Sequence, residues 1–288
     1  RDYVKWDYQP GGIQGVPDSF ARAYSIMMPE PQGPIYMCYD AWLQEAQLTE
    51  TVKMPKVSTP KVPSKLAPDP KALSEMADRL VAAEWPVLMP QYVGRVATGL
   101  GPMVGLAETL GAPVCDVQSR LNFPTEHPLD IRMTRDVFED ADVILTLDCR
   151  DWERMTHVND RINRTLKPVY PAHCQWLDIG FADIEISKWA MGYQRFPECA
   201  QRVLADTELA IPALTDLAKA RIAKDAKAAK RIEDRKHAVG EMHAKQRAKW
   251  REQAKENWDA SPITLARLAS EVWTLIKDED WVLTTQAF

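Results

Sequence analysis

The chain reads as an α/β protein with a central parallel sheet covered by helices on both faces and a partial α/β unit on either side. Three observations predict this. Helical and strand-sized patterns alternate with short connections from about residue 69 to residue 206, the signature of a parallel sheet. A proline-dense tract precedes that alternation, and a strongly charged helical stretch follows it. At 288 residues and 45% hydrophobic content, the chain can bury a substantial core.

The first element is a helix in "VPDSFARAYSIMMPEP". Asp18 or Ser19 is placed to cap it, Pro17 sits at its start, and Phe20, Ala23, Tyr24 and Met27 fall on one face. A Gly33-Pro34 turn then launches a strand, Ile35–Tyr39, that stops at Asp40. Helix and strand together form the α/β unit of residues 1–44, read as the closing part of a domain. Prolines at 55, 60, 63, 68 and 70 leave no room for a helix or central strand, so residues 45–69 are an extended linker. A helix in "DPKALSEMADRLVAAEW" carries Leu73, Met76, Ala77 and Leu80 on one stripe and leads into a strand at 86–90. Another in "TGLGPMVGLAETLG" ends at a glycine cap before a strand at 113–117. A short helix near "TRDVFEDA" precedes a strand at 142–149, and further strands fit 174–180 and 199–206. Residues 70–216 are thus the central domain, and such sheets bind ligands beyond the carboxyl ends of their strands.

Helical pattern continues from Thr207 to Asn257, and residues 217–260 form a charged connecting helix with 13 Lys/Arg against 6 Asp/Glu between Leu217 and Asn257. Pairs such as Arg221 with Asp225 are spaced to support a solvated helix. In 261–288, Ser261 can cap a new helix with Pro262 at its first position. Leu265, Leu268, Ala269, Val272 and Ile276 form its buried face, and a strand at 280–288 follows.

A net charge of -5 gives no global sign of a nucleic-acid or anionic-membrane partner, and no apolar run is long enough to span a bilayer. Acidic residues interrupt the basic run, so a nucleic-acid arm is not favoured. Five scattered cysteines without a CxxC pair fit a reduced, cytoplasmic protein. The start at Arg1 suggests a fragment or a processed product.

Candidate ligand residues follow the strands. Arg95, in "MPQYVGRVATGLG", is placed to meet a phosphate at a helix N-terminus, although a surface loop with a solvated arginine is the favoured account. Asn122, Glu126 and His127 lie in the proline-stiffened "RLNFPTEHP", where one histidine beside one glutamate makes no metal site. Asp148, Arg150 and Asp151 stand just past the strand at 142–149, the best ligand-edge position, though capping and ion pairing account for them too. His237 and His243, six apart, do not share a helix face. No catalytic triad, Cys-His pair or zinc spacing stands out.

The ordered series "GPIYMCYDAWLQEA", the proline linker, "LAPDPKALSEMADRLVAAEWPVLMPQYVGR", "LAETLGAPVCDVQSRLNFPTEHP", "VFEDADVILTLDCRDWERM" and "SPITLARLASEVWTLIKDEDWVLTT" resembles the middle of a thiamine diphosphate-dependent enzyme. The similarity is to the acetolactate synthase and benzoylformate decarboxylase group. It implies that Gly33, Pro34 and Asp40 close a pyrimidine-binding domain, that 69–206 form a Rossmann-like central domain, and that Leu265–Thr285 open a diphosphate-binding domain. It implies C–C bond cleavage or formation next to the carbonyl of a 2-oxo acid, with thiamine diphosphate and magnesium as cofactors in a homo-oligomeric parent. The family's activating glutamate would precede Arg1 and its Gly-Asp-Gly motif would follow Phe288, so this chain alone is not expected to hold the cofactor or to be active. Some members bind FAD or ADP centrally. Arg150 matches their arginine, whereas "MPQYVG" departs from their Gly-rich turn, so FAD is not expected. The alternative reading is a non-catalytic nucleotide- or CoA-binding module using Arg95, Asn122, Asp148 and Arg150.

Overall fold

The computed structural model describes residues 3–56, 61–117, 120–132, 134–160, 162–181, 198–282 and 284. At the N-terminal end a short strand absent from the sequence reading, β1 (Trp6–Tyr8), pairs in parallel with β2 (Ile35–Met37) across helix α1 (Gly15–Met27). The α1 helix starts earlier than Asp18 or Ser19 would place it, with Gln14 at its cap. Ser19 and Ala23 are its buried residues, while Phe20 and Tyr24 lie 58% and 43% exposed. The β2 strand ends at Met37, and Asp40 caps the short α2 (Ala41–Glu45) by accepting from the Trp42 amide at 2.8 Å.

The described residues from 46 to 69 carry no helix or strand, as the prolines require, whereas Glu45, placed at the head of the linker, is the last residue of α2. The linker is nevertheless fastened to the central domain: Leu66 O accepts from the Asp206 amide at 2.9 Å, and Lys65 pairs with Glu208.

The central domain is the predicted α/β arrangement: a parallel sheet of four strands in the order β3-β4-β7-β8, flanked by helices. Its strands are β3 (Pro86–Pro90), β4 (Val143–Leu147), β7 (Gln175–Ile179) and β8 (Gln201–Val203). Every residue of β3 and β4 is buried, so both faces of the sheet are covered. The segment at 113–117 also lies parallel to β3 without forming a regular strand: Val114 bridges to Leu88 of β3 and to Asp130, and the Val117 amide donates to Pro90 O at 3.1 Å. Asp69 caps α3 (Pro70–Ala82) by accepting from the Ala72 amide at 2.7 Å, with Pro70 at the first position. Helix α4 (Leu100–Leu110) stops at Gly111, whose φ of 57° makes the left-handed cap the sequence anticipates. The predicted short helix near 136 is a single 3-10 turn at Asp136–Phe138.

Between β4 and β7 the chain adds α5 (Glu153–Thr156) and an antiparallel hairpin of β5 (His157–Asp160) with β6 (Thr165–Pro168), none of it expected from sequence. After β8, α6 (Thr207–Ile222) packs against both α3 and α4. Met76, Leu80, Met103, Leu106, Leu145 and Leu214 are fully buried in the core between these layers.

The charged stretch departs from the expected solvated helix in two ways. It breaks at 223–225, where Asp225 pairs with no Arg221 but caps α7 (Ala226–Lys255) through the Lys227 and Ala228 amides, both at 3.0 Å. Arg221 instead turns to Asp78 and Ser74 of α3. One face of α7 is also buried: Ala228, Ile232, Arg235, Val239 and His243. Arg235 is 3% exposed, and its guanidinium donates to Ala83 O (3.2 Å), Glu84 O (2.7 Å), Gly111 O (3.1 Å) and Leu110 O. It therefore seals the carboxyl ends of α3 and α4 at once, where helix dipoles favour a cation.

Beyond it, α8 (Leu265–Ile276) is capped by Thr264 rather than Ser261, its hydroxyl accepting from the Arg267 amide at 3.2 Å. None of its residues is buried, so Leu265 and Leu268, at 57% and 40% exposure, do not form the buried face expected of them. The strand expected at 280–288 lies mostly outside the described residues.

Candidate functional site at the carboxyl edge of the sheet

Parallel strands deliver their following loops to one edge, and the four candidate residues all arrive there. They do not form one cluster.

Arg95, in the turn after β3, is neither solvated nor open to a ligand: its side chain is 16% exposed. Nε donates to Glu30 Oε1 at 2.8 Å, Nη1 to Tyr92 O at 3.1 Å and Thr207 Oγ1 at 3.2 Å, and Nη2 to Asp206 Oδ1 at 3.3 Å. Nη1 also pairs with Asp148 Oδ2. One guanidinium thus joins the N-terminal unit (Glu30), the end of β4 (Asp148) and the cap of α6 (Asp206). Burial alone would lower the pKa of Arg95, but the charges of Asp148 and Glu30 outweigh it and hold the guanidinium above its ordinary value.

Asp148 is buried and sits at φ 46°, a conformation aspartate tolerates better than most residues. Its Oδ2 accepts from the Thr207 hydroxyl at 2.6 Å and its Oδ1 from the Phe181 amide at 3.2 Å. Burial raises its pKa, against the pull of Arg95 and these hydrogen bonds. Gly180, at φ 144°, lets the end of β7 pass this carboxylate: a Cβ there would stand 2.3 Å from Asp148 Oδ1.

Asn122 belongs to a second, separate network. It is fully buried; Oδ1 accepts from the Gly94 amide at 2.9 Å, and Nδ2 donates to Asp116 Oδ1 at 2.8 Å and Arg120 O at 3.0 Å. Arg132 completes this group, gripping both oxygens of Asp130 at 2.9 and 2.7 Å. His127 and Glu126 serve the fold: His127 Nδ1 accepts from the Leu129 amide at 3.1 Å, and Glu126 pairs with Arg247. His243 is buried with Nδ1 2.8 Å from Asp130 O, whereas His237 is exposed.

Arg150 is positioned differently. Its amide donates to Gln91 Oε1 at 2.6 Å, tying the loop after β4 to the loop after β3. Its guanidinium stands 4.6 Å from the centre of the Tyr92 ring, and that of Arg120 stands 5.7 Å from the same ring. Asp151 Oδ1 accepts from the Arg154 amide at 2.9 Å, in the first turn of α5. Sequence reading missed Tyr92, Arg120, Asp206 and Thr207; the "LADTE" capping pattern was a usable signal for the last two.

Among the described residues no three His, Cys, Asp or Glu side chains are grouped to hold a metal ion. The donor set around Arg95 is acidic, with three carboxylates on one guanidinium, and does not fit a diphosphate. No helix among the described residues is long and apolar enough to cross a membrane.

No protein-family sequence model matches the chain. Solved structures with a similar fold include benzoylformate decarboxylase from Polynucleobacter necessarius, at 21% identity and TM-score 0.57 over 75% of this chain and 39% of that one. A thiamine diphosphate-dependent 4-hydroxybenzoylformate decarboxylase from Rhodococcus jostii aligns at 20% identity and TM-score 0.57, over 75% and 40% of the two chains. A protein from Mycobacterium smegmatis described as a candidate thiamin diphosphate-dependent enzyme aligns at 24% identity and TM-score 0.54, also over 75% and 40%. The chain therefore shares their fold and spans about two fifths of their length.

Proposed function

We propose that this chain is the middle portion of a thiamine diphosphate-dependent enzyme of the acetolactate synthase and benzoylformate decarboxylase kind. The parent makes or breaks a C–C bond next to the carbonyl of a 2-oxo acid, works as a cytoplasmic homo-oligomer and uses magnesium with the cofactor. In this reading residues 1–44 close the pyrimidine-binding domain, 45–69 link it to the central domain of 70–216, and 217–260 lead through α7 to the start of the diphosphate-binding domain at 261–288. Thiamine diphosphate supplies the electron sink for the reaction; none of the described residues is given a step in it.

The observation that carries this reading is the state of the carboxyl edge. Where an α/β sheet ordinarily takes a ligand, Asp148, Asp206 and Thr207 converge on Arg95, and Glu30 of the N-terminal unit reaches across to the same guanidinium. The edge is spent on holding the N-terminal unit against the central domain, which suits a spacer between two cofactor-binding parts. The test is turnover by the intact parent protein with thiamine diphosphate and magnesium, offered pyruvate, benzoylformate and related 2-oxo acids. Carbon dioxide release or a new C–C product is expected; no turnover of any of them sinks the enzymatic reading.

A second reading, a nucleotide- or CoA-binding module, is favoured by one feature: the Tyr92 ring flanked by Arg120 and Arg150 at this edge. Of the four residues put forward for it, Arg95, Asn122 and Asp148 turn their polar atoms into the protein's own bonds, and Arg150 stands over the Tyr92 ring. Calorimetry with ADP, FAD and CoA tests it, and absence of heat with all three rejects it.

A further inference from the structure

Two routes lead from the N-terminal unit to the amino end of α6. The first is the linker. Its start is held by Gln14, whose Nε2 donates to Thr51 O and whose Oε1 accepts from the Lys53 amide, both at 3.3 Å. Its far end is fixed where Leu66 O accepts from the Asp206 amide and Lys65 pairs with Glu208. The described residues between these anchors carry no helix or strand. The second route is electrostatic: Glu30 Oε1 accepts from Arg95 Nε at 2.8 Å, and the same guanidinium reaches Asp206 and Asp148.

The charges at this meeting point do not balance. Lys65 answers Glu208, but Glu30, Asp148 and Asp206 bring three carboxylates to one guanidinium. Asp206 Oδ1 accepts from the Glu208 amide at 2.9 Å and from Arg95 at 3.3 Å, while its Oδ2, buried, meets no donor among the described residues. Asp148 and Asp206 are part of the central domain and stay beside Arg95 when the N-terminal unit turns. Glu30 stands on the other side of the linker, and its Oε2 already accepts from the Gln32 amide of its own unit at 3.2 Å. Repulsion among the three carboxylates therefore falls on the one that is able to leave.

We propose that Glu30 on Arg95 is a releasable latch. The N-terminal unit turns about the linker between a closed position, the one in this structure, and an open one in which Glu30 has left and Arg95 stays with Asp148 and Asp206. The excess negative charge of the two aspartates sets how readily the latch lets go. The device stands apart from the reaction proposed above and needs no cofactor.

The test is pulsed electron paramagnetic resonance on the full chain. Spin labels are placed on exposed Cys38 of the N-terminal unit and, through D216C, on an exposed position of α6, in a C174A/C199A background. Two distance populations are expected. E30Q keeps the side-chain volume and removes the charge, and the ratio of open to closed should rise at least about fivefold. D206N keeps the oxygen that caps α6 and accepts from Arg95, and it puts an amide where Oδ2 has no partner. The ratio should then fall at least about fivefold. Opposite responses of the two variants separate a latch from general loosening of the fold. E30Q without a shift, or D206N with no shift or with a shift toward the open population, would each overturn the proposal.

Discussion

Replacing Arg95 with methionine keeps most of the side-chain volume and removes the one cation that three carboxylates share. Asp148 and Asp206, whose side chains are 7% and 1% exposed, are left in a buried site without their counter-charge. Breaking a buried pair from one side costs about 3–5 kcal/mol. The lower end applies here, about 3 kcal/mol, because Asp148 keeps the Thr207 hydroxyl at 2.6 Å and the Phe181 amide at 3.2 Å. For a chain of this size that loss lowers the melting temperature by about 6–12 °C. The deficit also depends on pH. The folded-state pKa of Asp148 lies above the ordinary 3.8, so between those two values the folded protein binds more protons than the unfolded chain. Stability is then present below 3.8 and lost as pH rises through the raised value. Removing Arg95 takes away the largest influence holding that value down, so R95M must be less stable, relative to wild type, at pH 8 than at pH 5. Urea unfolding followed by tryptophan fluorescence at both pH values measures this. A deficit under about 1 kcal/mol at pH 8, the scale of an exposed ion pair, or a deficit that grows on acidification, refutes the reasoning.

Three other outcomes are expected. Arg235→Met strands four backbone carbonyls at the ends of α3 and α4 and should cost about 3–5 kcal/mol in urea unfolding, against under about 1 for an exposed lysine of α7 such as Lys249. Gly180→Ala drives a Cβ to 2.3 Å from Asp148 Oδ1 at a φ of 144° and should cost more than about 2 kcal/mol; an unchanged thermal melt would show that the β7 end can yield. At pH 8 iodoacetamide should label exposed Cys38 in the native protein and reach Cys115 only after denaturation, because Cys115 is buried and its thiol is pushed up to about 12. Peptide mass spectrometry reads this, and equal native labelling of the two would contradict the burial.

The legible parts of the fold are those whose signals are local. The 86–90 strand, the helix of "DPKALSEMADRLVAAEW" and the Gly111 stop each follow from a few adjacent residues, and the structure places them where the sequence does. The β5–β6 hairpin was missed because its strands are short and mostly exposed, with no apolar alternation to mark them. Strand β1, three residues long, is below what periodicity can register. The α8 helix was misjudged in the opposite direction: its apolar stripe is real, but a stripe shows only what could be buried, and here Leu265 stays 57% exposed. At the carboxyl edge, position was readable and partnership was not. Arg95 and Asp148 announce themselves by following strands, yet Arg95 meets residues as far away as Thr207, a pairing no local pattern contains. Arg235 is one arginine in a basic run. Only Ala228, Ile232 and Val239, spaced along its own helical face, mark that face as the buried one.

The grip of Arg235 on the ends of α3 and α4 also fixes an order of assembly. On the ribosome, α3, β3 and α4 are complete more than a hundred residues before Arg235 is added. Until then Ala83, Glu84, Leu110 and Gly111 must turn their carbonyls to water, and the Leu110 and Ala83 neighbourhood cannot become dry. The nascent sheet therefore waits, partly open, for a helix from the last quarter of the chain, a closure of long sequence separation and correspondingly slow. A ribosome-bound chain from which α7 has not yet emerged would hold a central domain that protease or chaperone can still enter, and one from which α7 has emerged would not.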